Sequence, residues 1–376
     1  MPKYRFDEIA INSTEKKKPV EADKDTYIGL EHLDSDCLEV TRWGSDVAPI
    51  GDKLVMRKGD VLFGRRRAYQ KKVAIAPFNG IFSAHGMVLR PIESVIRKEF
   101  FPFFISSDYF LDAAINISVG SLSPTINWRD LAKLEFQIPT LNEQEAISSI
   151  LWAMNRLKVA YTDLLQQADA LVQSQFVEMF GDPIENPKGF PVYRMDSVVR
   201  FEGGSQPERK YFEFEPREGT VRLIQIRDYK TDRFITYIPK EMAKRFCKAD
   251  DIMIGRYGPP IFQILQGIEG AYNVALMKAV PLMGRKEYVR QFLKQECLLR
   301  FLESLSTRTA GQDGISMDAL KAYPFPMPPE ELQDRFIVMA AELDKSKFAS
   351  MLQKQLLQNV ACLATTRDRN LVQYRS

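Results

Sequence analysis

The chain is poor in the residues that most catalytic and metal-binding schemes need. Only two histidines occur in 376 residues, His32 and His85, so reactions that use imidazole as base or ligand have little to draw on. The four cysteines, Cys37, Cys247, Cys297 and Cys362, lie far apart without a CxxC pair. That spacing argues against a zinc site or a disulfide framework, and reduced thiols are expected. No apolar run is long enough to span a bilayer. The start, Met1-Pro2-Lys3-Tyr4-Arg5-Phe6-Asp7, lacks the basic stretch and apolar core of a secretory signal. A cytoplasmic protein without a membrane anchor is therefore expected. Charge of neither sign dominates: the net value of +3 permits nucleic-acid binding without requiring it.

Enzyme signatures are missing too. There is no GxxxxGK[ST] phosphate loop, no HExxH and no Asn/Asp-Pro-Pro-Tyr/Phe of an amino-methyltransferase. Gly258-Pro259-Pro260 and Met327-Pro328-Pro329 lack its polar first residue and aromatic last one. Asp250-Asp251 is an acidic pair of the kind that can hold a metal, but the matching Asp60 has no second carboxylate beside it. Both read as strand-end or turn structure, and His85 reads as a satisfied domain histidine. No catalytic residue, metal or cofactor is assigned.

What is present is length enough for two domains and an internal repeat. Residues 1–10 match 190–199, with Pro2/Pro191, Tyr4/Tyr193, Arg5/Arg194 and Asp7/Asp196 identical at a constant separation of 189 residues. About one identity is expected by chance in such a window. The same separation returns at Leu131/Leu320, Phe136/Phe325, Pro139/Pro328 and Gln144/Gln333. Between these ends, Asp60, Gly64 and Arg65 match Asp251, Gly255 and Arg256 once a short length difference is allowed. The repeated Tyr-Arg-x-Asp reads as a folding feature, because it recurs at the first strand of each copy.

Each copy reads as a mixed α/β domain followed by a long helix. In the first, 72–78 and 81–90 have strand character and 99–117 a helical one; in the second, 223–227, 234–238 and 251–254 read as strands and 287–305 as helix. After Pro139, Asn142 and Glu145 suggest a capping box for a helix of nearly forty residues, ended by Gly181-Asp182-Pro183. Its apolar seam, Ile147, Ile150, Met154, Leu157, Tyr161, Leu164, Ala168 and Leu171, alternates spacings of three and four as in a coiled coil. A second helix, 330–367, carries a less regular seam. To bury both seams the helices must run antiparallel. The expected fold is α+β: two similar mixed domains, 1–138 and 183–327, related by a pseudo-two-fold and separated by helices 139–182 and 328–376. Such a molecule suits reading two sites at fixed spacing on one ligand, and two-fold DNA readers use the same geometry.

The densest basic and aromatic cluster is Arg65-Arg66-Arg67 with Tyr69, Lys71 and Lys72. Arginine can grip phosphates or read guanine through two hydrogen bonds, although such a run is also often a solvated surface. Arg256-Tyr257 stands at the matching place. Gly203-Gly204-Ser205-Gln206 offers small and amide side chains for a close approach to a backbone, as does the loop around Gln312; an ordinary flexible loop is the alternative for both.

The pattern resembles the specificity subunits of type I restriction-modification systems. The resemblance covers essentially the whole chain and rests on the repeat, on Ile138-Pro139-Thr140-Leu141-Asn142-Glu143-Gln144 at the start of the first helix, and on Met179-Phe180-Gly181-Asp182-Pro183 at its end. Gly203-Gly204-Ser205-Gln206-Pro207 is similar to a Gly-Gly-Thr-Pro-Ser loop of that family, and Gly120-Ser121, leading to Ile126, to the loop before its final strand. The second copy departs in having Leu332 where Glu143 stands, and Ile11-Asn12-Ser13-Thr14 lacks the paired glycines. The resemblance implies a non-catalytic subunit that reads a bipartite, asymmetric target in double-stranded DNA. It also implies two methyltransferase subunits on the helices and, in a full restriction complex, two restriction subunits. S-adenosylmethionine would be bound by those partners, so this chain carries no cofactor. The implied DNA contacts are Arg65, Arg66, Arg67, Tyr69, Lys71 and Ser121 in the first domain and Gly203, Gly204, Ser205, Gln206, Arg256, Tyr257 and Gln312 in the second. Two rival readings are a DNA-specificity subunit of a methyltransferase or fused nuclease without separate motor subunits, and a coiled-coil assembly protein that ignores DNA.

Overall fold

The computed structural model describes residues 1–343 apart from Leu122, 230–231, 258–260, 306–307, 310–311 and Gly314. The chain divides into two compact units, one built on Met1–Tyr161 and the other on Thr162–Met351.

In the first unit, strand Lys3–Arg5 pairs antiparallel with Glu135–Gln137, Tyr4 facing Phe136, so the domain's two ends are tied together. Between them lie two four-stranded sheets. One runs Ala10–Ser13, Gly86–Pro91, Val61–Gly64, Val73–Ile75; the other runs Lys16–Lys17, Lys53–Met56, Gly80–Phe82, Tyr27–Ile28. The β-type run 81–90 is thus not one strand. It breaks at Ser83–His85 and feeds two different sheets, because Gly86 fits where a Cβ would meet the Phe82 ring at 2.1 Å and the Phe63 carbonyl at 2.9 Å. The helical stretch 99–117 also splits, into Phe101–Ser106 and Asp108–Asn116, where the Ser107 hydroxyl accepts the Phe110 N–H and caps the second piece. The helices and the first sheet enclose Phe6, Phe63, Phe101, Phe110 and Phe136, each fully buried. Every such ring contributes about 1.5–3 kcal/mol on leaving water.

The second unit repeats this frame. Val192–Arg194 pairs with Pro324–Pro326 in the same register, Tyr193 facing Phe325. Its first sheet, Val199–Gly203, Leu276–Pro281, Ile252–Gly255, Gln263–Gln266, has the order of its counterpart. In both second sheets a parallel pair recurs, Ile28 beside Phe82 and Ile224 beside Tyr272. Their edges differ. The fourth strand lies beside Lys53–Met56 in the first unit, and beside Thr220–Ile224 in the second, where Tyr237–Pro239 supplies it. The strand expected over 223–227 ends at Ile224, and Ile226–Tyr229 is a 3-10 turn held by Asp228, whose carboxylate accepts the Gln225 N–H at 3.2 Å. The helix over 287–305 is again two, Lys286–Leu293 and Glu296–Ser304. Asp60 and Asp251 have the same job in each copy. They accept the N–H three residues earlier, from Arg57 at 2.8 Å and Lys248 at 2.9 Å, which makes them turn-forming residues.

One helix, Leu141–Phe180, contributes to both units. At 40 residues it is about 60 Å long. Its cap is Thr140 with Glu143, not Asn142 with Glu145: the Glu143 carboxylate accepts the Thr140 N–H at 2.8 Å, and the helix starts two residues earlier than the capping pattern suggested. In the first unit it docks through buried Leu151 and through Trp152, whose indole donates to the Glu99 carbonyl at 3.0 Å. In the second it docks through Phe176 and Phe180, which pack against Tyr288 and Phe336. The seam expected to be core is divided. Ile150, Leu157, Leu164 and Leu171, seven residues apart, are 56%, 46%, 44% and 46% exposed, so this stripe is not core among the described residues. Gly181 ends the helix with φ +80° and its N–H on the Val177 carbonyl. In the second helix, 330–343 is helical and the remainder lies outside the described residues, as does Cys362.

Candidate nucleic-acid interface

In the first unit, strands Val61–Gly64 and Val73–Ile75 form a hairpin whose loop carries the arginine cluster. The loop makes a 3-10 turn, Ala68–Gln70, bracketed by Arg67 and Lys71 in the left-handed region, at φ 54° and 50°. Non-glycine residues adopt that conformation only where neighbouring bonds hold them. Those bonds are present: the Arg66 N–H donates to the His85 carbonyl at 3.2 Å, the Arg67 N–H to the Pro124 carbonyl at 2.8 Å, and the Ile126 N–H to the Arg65 carbonyl at 2.9 Å. The hairpin loop is thereby fixed between the Ser83–His85 turn and the segment 119–126, which carries Ser121 and folds on itself through Val119 and Thr125.

Arg66, Arg67, Tyr69 and Ser121 are exposed on this loop cluster. Arg65 is half-buried and donates to the Ala84 carbonyl at 3.2 Å. Lys71 is committed elsewhere. Its ammonium lies 2.5 Å from Asp108 and 3.0 Å from Asp112, joining the loop to helix Asp108–Asn116. Burial pulls its pKa down, and the hydrogen bonds to the two carboxylates more than offset this, leaving it raised. Lys72 likewise donates to the Leu30 carbonyl. These two lysines brace the loop, whereas Arg66 and Arg67 face solvent.

In the second unit, Gly203 ends strand Val199–Gly203 and Gly204 follows it beside the Asn273–Ala275 turn, the counterpart of Ser83–His85. The Gly204 N–H donates to the Leu276 carbonyl at 3.0 Å and the Ser205 N–H to the Tyr272 carbonyl at 3.2 Å. A Cβ on Gly204 would sit 1.9 Å from the Asn273 carbonyl oxygen, so this glycine is required by the chain's own backbone; at Gly203 the nearest atom is Arg256 Nη1 at 3.9 Å. Arg256 therefore borders the glycine loop. Its N–H donates to the Ala275 carbonyl at 2.9 Å, and its guanidinium lies 5.3 Å from the centre of the Tyr257 ring. Gln206 is exposed. Gln312 lies in a two-residue strand opposite Arg308–Thr309, and its side chain falls outside the description.

The structure thus brings Arg65, Arg66, Arg67 and Ser121 together in one unit, and Gly203, Gly204, Ser205 and Arg256 in the other. His85, read from the sequence as a domain residue, also lies at this loop cluster. No local signal marks it; it joins the arginine loop because Gly86 pairs with Gly64 across two strands. His85 is exposed, and Arg66 Nη1 lies 3.4 Å from its Nε2. Among the described residues no group of three or more His, Cys, Asp or Glu is placed to hold a metal ion, and no helix is long and apolar enough to cross a membrane.

Residues 11–167 match the family described as the type I restriction modification DNA specificity domain. The chain is 27% identical over 145 residues to the type I restriction enzyme EcoDI specificity subunit of Escherichia coli, a match covering 38% of this chain and 32%, about a third, of that protein's length. Three solved structures are similar over most of the chain. One comes from work on complex assembly and conformational transition of the type I R-M system (18% identical, TM-score 0.43, 96% of both chains). The others are the HsdS subunit from Thermoanaerobacter tengcongensis (19%, 0.38, 96% of both) and the S subunit from M. genitalium (14%, 0.48, 96% of this chain and 94% of that one). Residues 11–167 thus match a type I restriction modification DNA specificity domain, and part of the chain is similar to an E. coli specificity subunit.

Proposed function

We propose that this chain is the non-catalytic subunit that gives a type I restriction-modification complex its sequence specificity in the cytoplasm. Each domain, 1–138 and 183–327, reads one half of an asymmetric bipartite target in double-stranded DNA, and the helical segments 139–182 and 328–376 space the halves. The observation that carries this reading is one framework under two unlike loop sets. A shared frame with an arginine-rich hairpin in one copy and a glycine loop beside Arg256 in the other suits two different half-sites, whereas two identical protein partners would call for matching surfaces. Phosphate contacts would position each domain and base contacts would specify. Two methyltransferase subunits, which would hold S-adenosylmethionine, bind the exposed faces of the helices, and two restriction subunits complete the nuclease.

Strand-resolved methylome mapping of cells with and without this protein tests the reading. A methylated bipartite motif should disappear when the chain is removed. An unchanged methylome, or metal-dependent DNA cleavage by the isolated chain that Asp251→Ala abolishes, overturns it.

A further inference from the structure

We propose that His85 is a DNA-phosphate ligand of the first unit, acting with Arg66 and taking up a proton as the duplex binds. The inference rests on the DNA-reading function above and adds a residue and a linked proton to it.

His85 is exposed at the tip of the Ser83–His85 turn, and its carbonyl holds the Arg66 N–H at 3.2 Å. Its Nε2 lies 3.4 Å from Arg66 Nη1, a donor that requires the ring nitrogen to be an unprotonated acceptor. The charges that weigh most on the ring are positive: Arg66 and Arg65 from the hairpin loop and Lys53 from the neighbouring strand. Lys53 is placed there by register, since Leu54 faces Phe82 and the next residue along is Ser83. Its ammonium rests on the Gly51 carbonyl at 3.1 Å and on the Ile50 carbonyl. Asp52 precedes it in the chain and is exposed. The third element at this face, the 119–125 loop, brings no ionisable side chain among its described residues.

In the free protein, partial burial and then Arg66, Arg65 and Lys53 hold the His85 pKa below its ordinary value, so the ring is neutral near pH 7. An anionic phosphate oxygen reverses the balance. It takes the Arg66 donor for itself and favours a proton on Nε2, drawn from solvent, which the imidazolium then donates to the oxygen. The pKa is low when free and raised when bound. Affinity therefore grows as pH falls through the bound value and levels off below the free one. A neutral contact to a base edge would show no such linkage.

The experiment measures binding of the full chain to a short duplex of random sequence, which reports phosphate contacts, from about pH 8 down to about pH 6. The natural protein is compared with His85→Gln and His85→Lys. Groups common to all three, including His32, cancel in the comparison. The natural chain should gain up to about tenfold in affinity per pH unit over the Gln variant. The Lys variant should bind tightly at both ends of the range. Calorimetry in two buffers of different ionisation enthalpy should detect proton uptake that His85→Gln removes. Equal pH slopes for the natural and Gln proteins, or a loss of affinity in His85→Gln that is the same at both ends, overturn the proton-linked contact and leave DNA reading intact. Failure of all three to bind duplex at any pH overturns the DNA reading itself.

Discussion

The side-chain oxygen of Gln144 accepts the backbone N–H of Arg97 at 2.7 Å, fastening the start of the long helix to the segment that precedes helix Phe101–Ser106 in the first unit. The same amide donates to the Pro139 carbonyl at 2.8 Å and the Val95 carbonyl at 3.0 Å. Gln333 repeats the grip in the second unit, accepting the Arg285 N–H at 2.7 Å and donating to the Pro328 carbonyl at 2.7 Å. Both side chains are essentially buried. The Gln that the repeat preserves thus ties three backbone groups together in the first unit and two in the second.

Gln144→Ala should destabilise the first unit and Gln333→Ala the second, each by about 1–3 kcal/mol, because buried backbone donors and acceptors lose their partners. Thermal melts should fall by several degrees. Hydrogen exchange should quicken at the Arg97 amide in one variant and at Arg285 in the other; unchanged protection would show that water replaces the side chain at no cost.

Gly204→Ala and Gly203→Ala should behave differently although the residues are adjacent. The first puts a Cβ against the Asn273 carbonyl and must displace the loop, whereas the second meets only Arg256 Nη1 at 3.9 Å, an ordinary contact. Methylome mapping should find one half-site relaxed or lost for Gly204→Ala and both retained for Gly203→Ala. Equal effects would mean that Gly203 itself meets the DNA.

Replacing Arg66 and Arg67 by Ala should weaken DNA binding. A base-reading arginine there costs about 1–3 kcal/mol and relaxes only the half-site read by the first domain, while a phosphate contact lowers the salt slope by about one per residue. Lys71→Ala should leave the salt slope nearly unchanged, since its charge already faces Asp108 and Asp112. Its effect belongs to stability, about 0–1 kcal/mol for a partly exposed ion pair. A fall in the slope as large as that for Arg66→Ala would place Lys71 at the DNA.

The proposed spacer role gives a prediction for the helix Leu141–Phe180. Four residues inserted near its middle, with a matching extension in the C-terminal helix, add about 6 Å and a net rotation of roughly 40°. One DNA base pair rises about 3.4 Å and turns by about 35°, so rotation favours one added pair and a modest tilt absorbs the surplus length. Methylation mapping of an active, assembled variant should show both half-sites kept and the gap longer by one pair; an unchanged gap would mean that the helices join the domains without setting their distance.

Much of the frame was legible in the chain because repetition is a property of sequence. Tyr4/Tyr193 and Phe136/Phe325 matched at one separation, and they pair in one register in both copies. Helix boundaries were less legible. Ser107 and Gln295 interrupt runs whose apolar spacing carries on past them, and the Thr140–Glu143 cap lies two residues before the pattern that resembled one. The candidate loops were legible by composition alone, as clusters of arginine and glycine. Their membership was not, since a residue's place on a face depends on which strands pair.

By itself the sequence determined that there are two copies of one mixed domain, that a forty-residue helix leaves the first, and that conventional catalytic motifs are missing. These follow from residue identity, apolar period and chain separation, all properties of a line. Only the tertiary structure decided that 81–90 breaks into two sheets at a glycine, that Lys71 is spent on Asp108 and Asp112, that Gly204 serves its own backbone, and that His85 stands against Arg66. Each depends on backbone groups that are remote along the chain and adjacent in space. Hydrogen-bond register, steric clearance and the local field of charges are set by those distances, and no local pattern in the sequence encodes them.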